Sequence, residues 1–189
     1  MISNEIIRAA EGQCDWHRAD HGFRTMFLGG EIFELELVTA PEEVKQNPNY
    51  FREVLNWTAV LHDREMPMTD KYDFTHGKKA ADRVDEIIGE AVSPEGRELI
   101  KFLCEFHVPD DSEITGLTDT QRWLLSVFKD ADALDRVRFD NGDTLDKSHL
   151  RFGSSRELIP QAQELWERTK QGLDSPQAAF DAVFGNRVE

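Results

Sequence analysis

The strongest constraint on the fold is a helical apolar run that ends in an adjacent histidine and aspartate, residues 56–65 (NWTAVLHDRE). Leu55, Ala59 and His62 lie four and three positions apart, so one helix face carries this imidazole towards the core. A buried histidine needs a hydrogen-bond partner or a metal ion, and an unpaired carboxylate beside it is costly to desolvate. Alone, the pair also fits a capped helix end with a solvated Asp63, so other residues must distinguish the two interpretations.

The same helical spacing recurs through most of the chain, without the alternating pattern of a β-strand and without an internal repeat. Helices are predicted over residues 1–11, 22–38, 50–61, 77–90, 94–107, 118–139, 156–171 and 175–184. In the second of these, Gly29 and Gly30 predict either an interruption or a close helix contact. A chain of 189 residues suffices for one core. We therefore expect an all-α fold, a single-domain helical bundle over residues 1–189.

Charge and composition narrow the range of partners. Acidic residues outnumber basic ones by 37 to 22, and the net charge of −15 argues against polymeric nucleic acid or an anionic membrane as a partner. A small phosphorylated substrate stays compatible with this net charge, because a metal ion and a few local cations can bind it inside a cleft.

The sequence contains no apolar run of membrane-spanning length and no signal-peptide pattern at residues 1–11. Two cysteines are too few for a disulfide framework, and we expect a cytoplasmic protein.

Histidines and aspartates follow one another at predicted helix ends and on apolar helix faces. In chain order they are His17, His21, His62, Asp63, His76, His107 and Asp132. The most specific motifs are LHD at 61–63, THGKKAA at 75–81, FH at 106–107 and KDADALDR at 129–136. This order resembles the HD-domain superfamily of metal-dependent phosphohydrolases, helical bundles with an early His, a His-Asp pair and a late Asp. The resemblance covers residues 15–139, and residues 145–189 would be C-terminal helices that pack on that core.

The resemblance implies a metal site formed by side chains from separate helices. Its ligands would be His21, His62, Asp63 and Asp132. We choose His21 because Arg24 follows it by three positions, as an arginine usually does in the family, whereas His17 has no such partner. His17 stands four residues earlier and would lie behind the ligands, face the substrate or be exposed. Two imidazoles and two carboxylates suit a divalent ion such as Mn, Fe, Co, Ni or Zn, with Mg also possible.

Two further histidines leave the number of ions open. In family members with two metals, histidines at about the places of His76 and His107 bind the second ion, and Asp63 then bridges both. In the mononuclear alternative, these two histidines contact phosphate or donate protons. We therefore take Asp63, His76 and His107 as catalytic candidates in either case.

Several charged residues near the proposed ligands have roles that the sequence specifies less closely. Substrate contacts are predicted for Arg64, His17 and Arg24, although Arg64 also fits a position at the surface. Asp130 and Asp135 are expected to be solvated charges paired with Lys129, Arg136 or Arg138. The loop at residues 66–75 lies between two proposed ligands, where substrates commonly enter.

The implied activity is hydrolysis of a small phosphorylated substrate, with a nucleotide as the class that the family suggests, by attack of metal-bound water on phosphorus. A non-catalytic metal- or ligand-binding regulatory module on the same helical fold is the alternative. A plain helical interaction protein is a third hypothesis, which would require all the well-placed histidines and aspartates to coincide. The sequence specifies neither the substrate nor the oligomeric state.

Overall fold

The computed structural model describes residues 3–11, 19–66, 73–139, 145–171 and 173–185, and within these ranges it contains ten α-helices and no strand. The helices are α1 (Asn4–Ala9), α2 (Ala19–Glu36), α3 (Glu42–Gln46), α4 (Pro48–Leu61), α5 (His76–Ile88), α6 (Pro94–Phe106), α7 (Asp119–Leu134), α8 (Gly153–Glu157), α9 (Ile159–Thr169) and α10 (Pro176–Phe184). The predicted all-α class is confirmed. None of the described helices combines the length and apolar character that crossing a membrane requires.

Helix α2 lies at the centre of the bundle, where it packs against α4, α7 and α10. Phe23, Leu28 and Ile32 are fully buried on it, as expected for a helix with neighbours on several sides. The helix continues through Gly29 and Gly30 without a break. A Cβ atom added at Gly29 would lie 3.5 Å from the Ala131 Cβ. The glycine pair therefore marks close helix packing, the second of the two predicted outcomes.

Local chemistry explains several helix boundaries. The Ser93 side chain accepts a hydrogen bond from the Gly96 amide and caps α6, and Thr118 forms a reciprocal capping box with Gln121 at the start of α7. Helix α7 ends earlier than predicted, because the chain tightens into a 3₁₀ turn over Asp135–Arg138. The helix predicted over 156–171 is two helices, α8 and α9. Pro160 lies in the first turn of α9, where its missing amide hydrogen is tolerated.

The segment before α8 is tied to α7 by Asp130. This carboxylate accepts hydrogen bonds from the backbone amides of Arg151 and Phe152, at 2.9 and 3.0 Å, and from the Ser155 hydroxyl at 2.7 Å. The Arg151 guanidinium also contacts it, at 3.1 Å. Asp130 is fully buried, so the prediction of a solvated charge is wrong. The amides of this irregular segment have no helical partners, and the buried carboxylate accepts their hydrogen bonds.

Helices α5 and α6 pack closely along each other. Gly77 makes this approach possible, because a Cβ atom there would collide with the Cys104 carbonyl oxygen and lie 3.0 Å from the His107 ring. The start of α5 and the end of α6 are thereby brought together. The glycine in the THGKKAA motif thus has a packing role that allows His76 and His107 to meet.

Candidate metal centre

Six side chains from five helices or their ends converge on one point in the bundle. His21 lies in the first turn of α2, His62 and Asp63 directly follow α4, His76 begins α5, His107 directly follows α6, and Asp132 lies in the last turn of α7. The carbonyls of a helix's last turn lack partners within the helix. His62 Nδ1 donates to the Ala59 carbonyl at 3.0 Å, and His107 Nδ1 donates to the Cys104 carbonyl at 2.6 Å. Each helix end therefore orients its own histidine.

All four imidazoles direct Nε2 towards the cluster. His76 Nδ1 donates to the Asp73 carbonyl at 2.5 Å, and His21 Nδ1 donates to the Asp135 carboxylate at 2.7 Å. Carbonyl and carboxylate oxygens only accept hydrogen bonds, so these contacts assign the proton of each neutral ring to Nδ1. The lone pair of each Nε2 is then available for a metal ion.

One group of ligand atoms surrounds a first position, which we call position 1: His21, His62, Asp132 and one oxygen of Asp63. The Nε2 atoms of His21 and His62 are 3.2 Å apart, and Asp132 Oδ1 lies 3.4 and 3.5 Å from them. Asp63 Oδ2 lies 3.5 and 3.6 Å from the same two nitrogens. Ligands at the usual 2.0–2.2 Å from a zinc-sized ion are about 2.8–3.6 Å apart. The separations therefore fit a single divalent ion.

A second group surrounds the other oxygen of Asp63, and we call it position 2. His76 Nε2 lies 2.9 Å from Asp63 Oδ1, His107 Nε2 lies 3.4 Å from it, and the two nitrogens are 3.0 Å apart. Each of the two triads His21, His62, Asp63 and Asp63, His76, His107 has the composition of a metal site. Asp63 belongs to both, with one oxygen facing each pair of histidines.

The electrostatics of the cluster favour a cation. Burial and Arg138 act to lower the pKa of His21, but hydrogen bonds with Asp132, Asp135 and Asp63 raise it to about 10. Burial likewise acts to raise the pKa of Asp132, yet contacts with His21 and His62 hold it well below its usual range. Without a metal ion, the surrounding carboxylates thus keep the buried His21 imidazole protonated. A divalent cation would satisfy the same negative charge.

The carboxylate behind His21 is part of a buried ion network. Arg24 Nε and Nη2 donate to Asp135 at 2.5 and 2.9 Å, and Arg138 Nη1 donates to it at 2.9 Å. Arg24 Nη1 also donates to Asp20 and to the Thr169 hydroxyl of α9, both at 2.6 Å. Burial acts to raise the pKa of Asp135, but Arg24 and His21 more than offset this and lower it.

This network changes two predictions. Asp135 is fully buried, so its assignment as a solvated charge is wrong. Arg24 is 1% exposed, and its guanidinium lies over the Trp166 ring while it binds Asp135. Four of its five N–H groups donate to protein acceptors, which favours a role in positioning His21 over the predicted substrate contact.

The other two predicted substrate contacts are Arg64 and His17. Arg64 Nη1 donates to the Ala9 carbonyl at 2.5 Å, which ties the chain after α4 to α1. His17 lies outside the described residues, as does most of the predicted entry loop at 66–75.

A polar cleft of about 930 Å³ shares His107 and Asp132 with the cluster. Its other walls come from residues 108–111, from α7 and the turn after it, and from residues 145–151. Asp111 links two of these walls, because its carboxylate accepts hydrogen bonds from Lys129 Nζ on α7 and from Arg151 Nε in the segment 145–151, both at 2.7 Å. The Asp132 side chain is 31% exposed, in contrast to 3% or less for His21, His62 and His76. The cleft thus connects the buried cluster with solvent.

No protein-family model, curated protein or solved structure matches this chain. Function must therefore be argued from the residues and the geometry of the site.

Proposed function

We propose that this chain is a metal-dependent phosphohydrolase of the HD-domain type, which holds two divalent ions and acts on a small phosphorylated substrate. The observation that carries the proposal is the placement of Asp63, whose Oδ2 faces His21 and His62 while its Oδ1 faces His76 and His107. A carboxylate between two pairs of imidazole nitrogens is the expected bridge of a binuclear centre.

The donor set fits metal ions better than a purely structural cluster. The Nε2 atoms meet in pairs, at 3.2 and 3.0 Å, with their Nδ1 protons already used elsewhere. Two nitrogen lone pairs cannot bond to each other, so a proton or a cation is needed between them. For His76 and His107 the same geometry favours ligand roles over proton donation, because both nitrogens face Asp63 Oδ1.

Charge then favours an anionic substrate. Asp63 and Asp132 contribute two negative charges to the cluster, and the four neutral imidazoles contribute none. Two divalent ions would leave about two positive charges at the inner end of the cleft, which would attract a phosphoryl group. When bound, such ions supply an activated water and offset charge on the phosphoryl oxygens.

The ligand types also narrow the choice of metal. Imidazole nitrogens suit Mn, Fe, Co, Ni or Zn, whereas Mg prefers oxygen ligands and retains several waters. The cleft of about 930 Å³ is large enough for a small molecule. A nucleotide is the substrate class that the HD-domain resemblance implies, and the net charge of −15 disfavours a polymeric one.

The test combines elemental analysis with a screen of nucleotides and other phosphate esters, on the protein purified without added metal or chelator. We expect two ions per chain, one in His107→Ala, and hydrolysis that is lost in His62→Ala. His149→Ala is the matched control for metal content, because this cleft histidine is 77% exposed and belongs to neither triad.

The outcomes separate the competing functions. Two ions with hydrolysis support the proposal. Bound ions without turnover of any ester would indicate the non-catalytic regulatory module instead. No bound ion, even with Mn²⁺ or Fe²⁺ supplied, would contradict both and leave a helical interaction protein.

A further inference from the structure

The supports behind the four histidines are unequal. His62, His76 and His107 each donate Nδ1–H to a backbone carbonyl, whereas His21 donates to the Asp135 carboxylate. A carboxylate behind a metal-binding imidazole makes it a more basic ligand and fixes its orientation. Position 1 therefore contains a more strongly supported histidine than position 2.

Asp135 is itself held rigidly. Arg24 and Arg138 bind it from two sides, and Arg24 is anchored in turn by Asp20 and by Thr169 on α9. The contacts of Arg24 lie in the interior, with Asp135 fully buried and Arg24 1% exposed. The His21 ring is thus fixed before any ion arrives, so little ordering accompanies binding.

The charge of the two positions also differs. At position 1 the carboxylates of Asp132 and Asp63 both lie within 3.6 Å of the histidine nitrogens. At position 2 the carboxylate in contact with both histidine nitrogens is that of Asp63, and Asp132 acts on these two histidines through its charge, not through a direct hydrogen bond. Asp73, which lies three residues before α5, has its carboxylate hydrogen-bonded to Thr75 and to Lys79. A site with more ligand charge and more rigid ligands binds a cation more tightly.

From these differences we propose that position 1 fills before position 2, and that Asp135 is the positioning residue that sets this order. The inference rests on the proposed binuclear centre. It predicts that, at limiting metal, the protein carries its one ion between His21, His62, Asp63 and Asp132.

The test is a titration of the chelator-treated full chain with Mn²⁺ alone, followed through the EPR signal of the free ion. We expect two steps in the wild-type protein, with dissociation constants that differ by about tenfold or more. His107→Ala should lose the weak step and keep the tight one. His21→Ala should lose the tight step.

The decisive variant is Asp135→Asn, which keeps an acceptor for His21 but removes the charge. Its tight step should weaken by about 10–100-fold, while the weak step changes by less than about threefold, so that the gap between the two dissociation constants closes or shrinks. Asp130→Asn is the matched control. Asp130 is fully buried, as Asp135 is, but its carboxylate binds residues 151–155 and contacts no histidine in the described part of the chain. It should keep both steps.

Several results would overturn either the role of Asp135 or the order itself. A tight step that is unchanged in Asp135→Asn, or weakened equally in both asparagine variants, would show that Asp135 acts on the fold alone. If Asp135→Asn does not fold, the histidine variants still decide, since a tight step surviving in His21→Ala contradicts the proposal.

The same titration separates this inference from the proposed function. Two ordered steps without hydrolysis of any phosphate ester support the order and contradict the hydrolase. Hydrolysis together with two Mn²⁺-binding steps of equal affinity would contradict the filling order and leave the proposed hydrolase intact. Absence of Mn²⁺ binding contradicts both.

Discussion

Two buried aspartates, Asp130 on α7 and Asp135 in the turn that follows it, are five positions apart and hold different parts of the structure. Asp130 binds the backbone of residues 151–152 and the Ser155 hydroxyl, which fixes the outer wall of the cleft. Asp135 binds Arg24, Arg138 and His21, which fixes the inner end. The comparison shows that burial of a carboxylate says little about its role until its partners are known.

The largest loss of stability is expected for Asp135→Ala. The buried Arg24 and the half-buried Arg138 would lose their shared carboxylate, and breaking a buried ion pair in this way costs about 3–5 kcal/mol. Urea denaturation should show this loss, and elemental analysis should show at most one ion per chain. If the variant is destabilised but still binds two ions per chain, the proposal that Asp135 supports metal binding at position 1 is contradicted.

Asp130→Asn should affect substrate binding without affecting the metal. Asparagine keeps one acceptor oxygen, and the loss of a charge-assisted hydrogen bond to residues 151–155 should cost about 1.5–3 kcal/mol of stability. Because that segment forms a wall of the cleft, we expect a higher KM for the substrate found in the screen, with two ions retained. An unchanged KM would place the substrate elsewhere.

Gly77→Ala extends the comparison to position 2. The new Cβ would collide with the Cys104 carbonyl, which orients His107, and overpacking of this kind costs about 1–3 kcal/mol. The weak Mn²⁺ step should be lost or weakened while the tight step stays. Gly30→Ala is the control, since a Cβ atom there meets nothing within 4 Å.

The smallest effect is expected for Thr169→Val, which removes one anchor of Arg24. Loss of that hydrogen bond should cost about 1 kcal/mol or somewhat more, because Arg24 is charged. A slightly weaker tight Mn²⁺ step should accompany the lower denaturation midpoint. If the denaturation midpoint falls but the dissociation constant of the tight Mn²⁺ step does not change, Asp135 orients His21 without help from Thr169.

Much of the fold follows from local sequence patterns. Helical spacing predicts the all-α class and most of the helices, because apolar periodicity and caps are encoded within a few residues. The end of α7 and the division between α8 and α9 were missed, since tertiary contacts and Pro160 set those boundaries. The six predicted ligands lie together in the structure, and their role in binding metal stays a prediction.

The supporting residues could not be predicted in the same way. Asp135 meets His21 and Arg24 across 114 and 111 positions of chain, and helical spacing does not identify partners at that distance. The one local signal was its place three residues after Asp132, on the same helical side. Gly77 is required only because α6 packs against α5 at that point.

The most direct test of the account is anomalous diffraction from a crystal of the full chain equilibrated with Mn²⁺. The account predicts two anomalous peaks, about 3.5–4 Å apart as in other two-metal sites, with one oxygen of Asp63 bound to each. At limiting Mn²⁺, the peak beside His21 and His62 should be the stronger. A single peak at saturating metal, or two peaks that do not share Asp63, would contradict it.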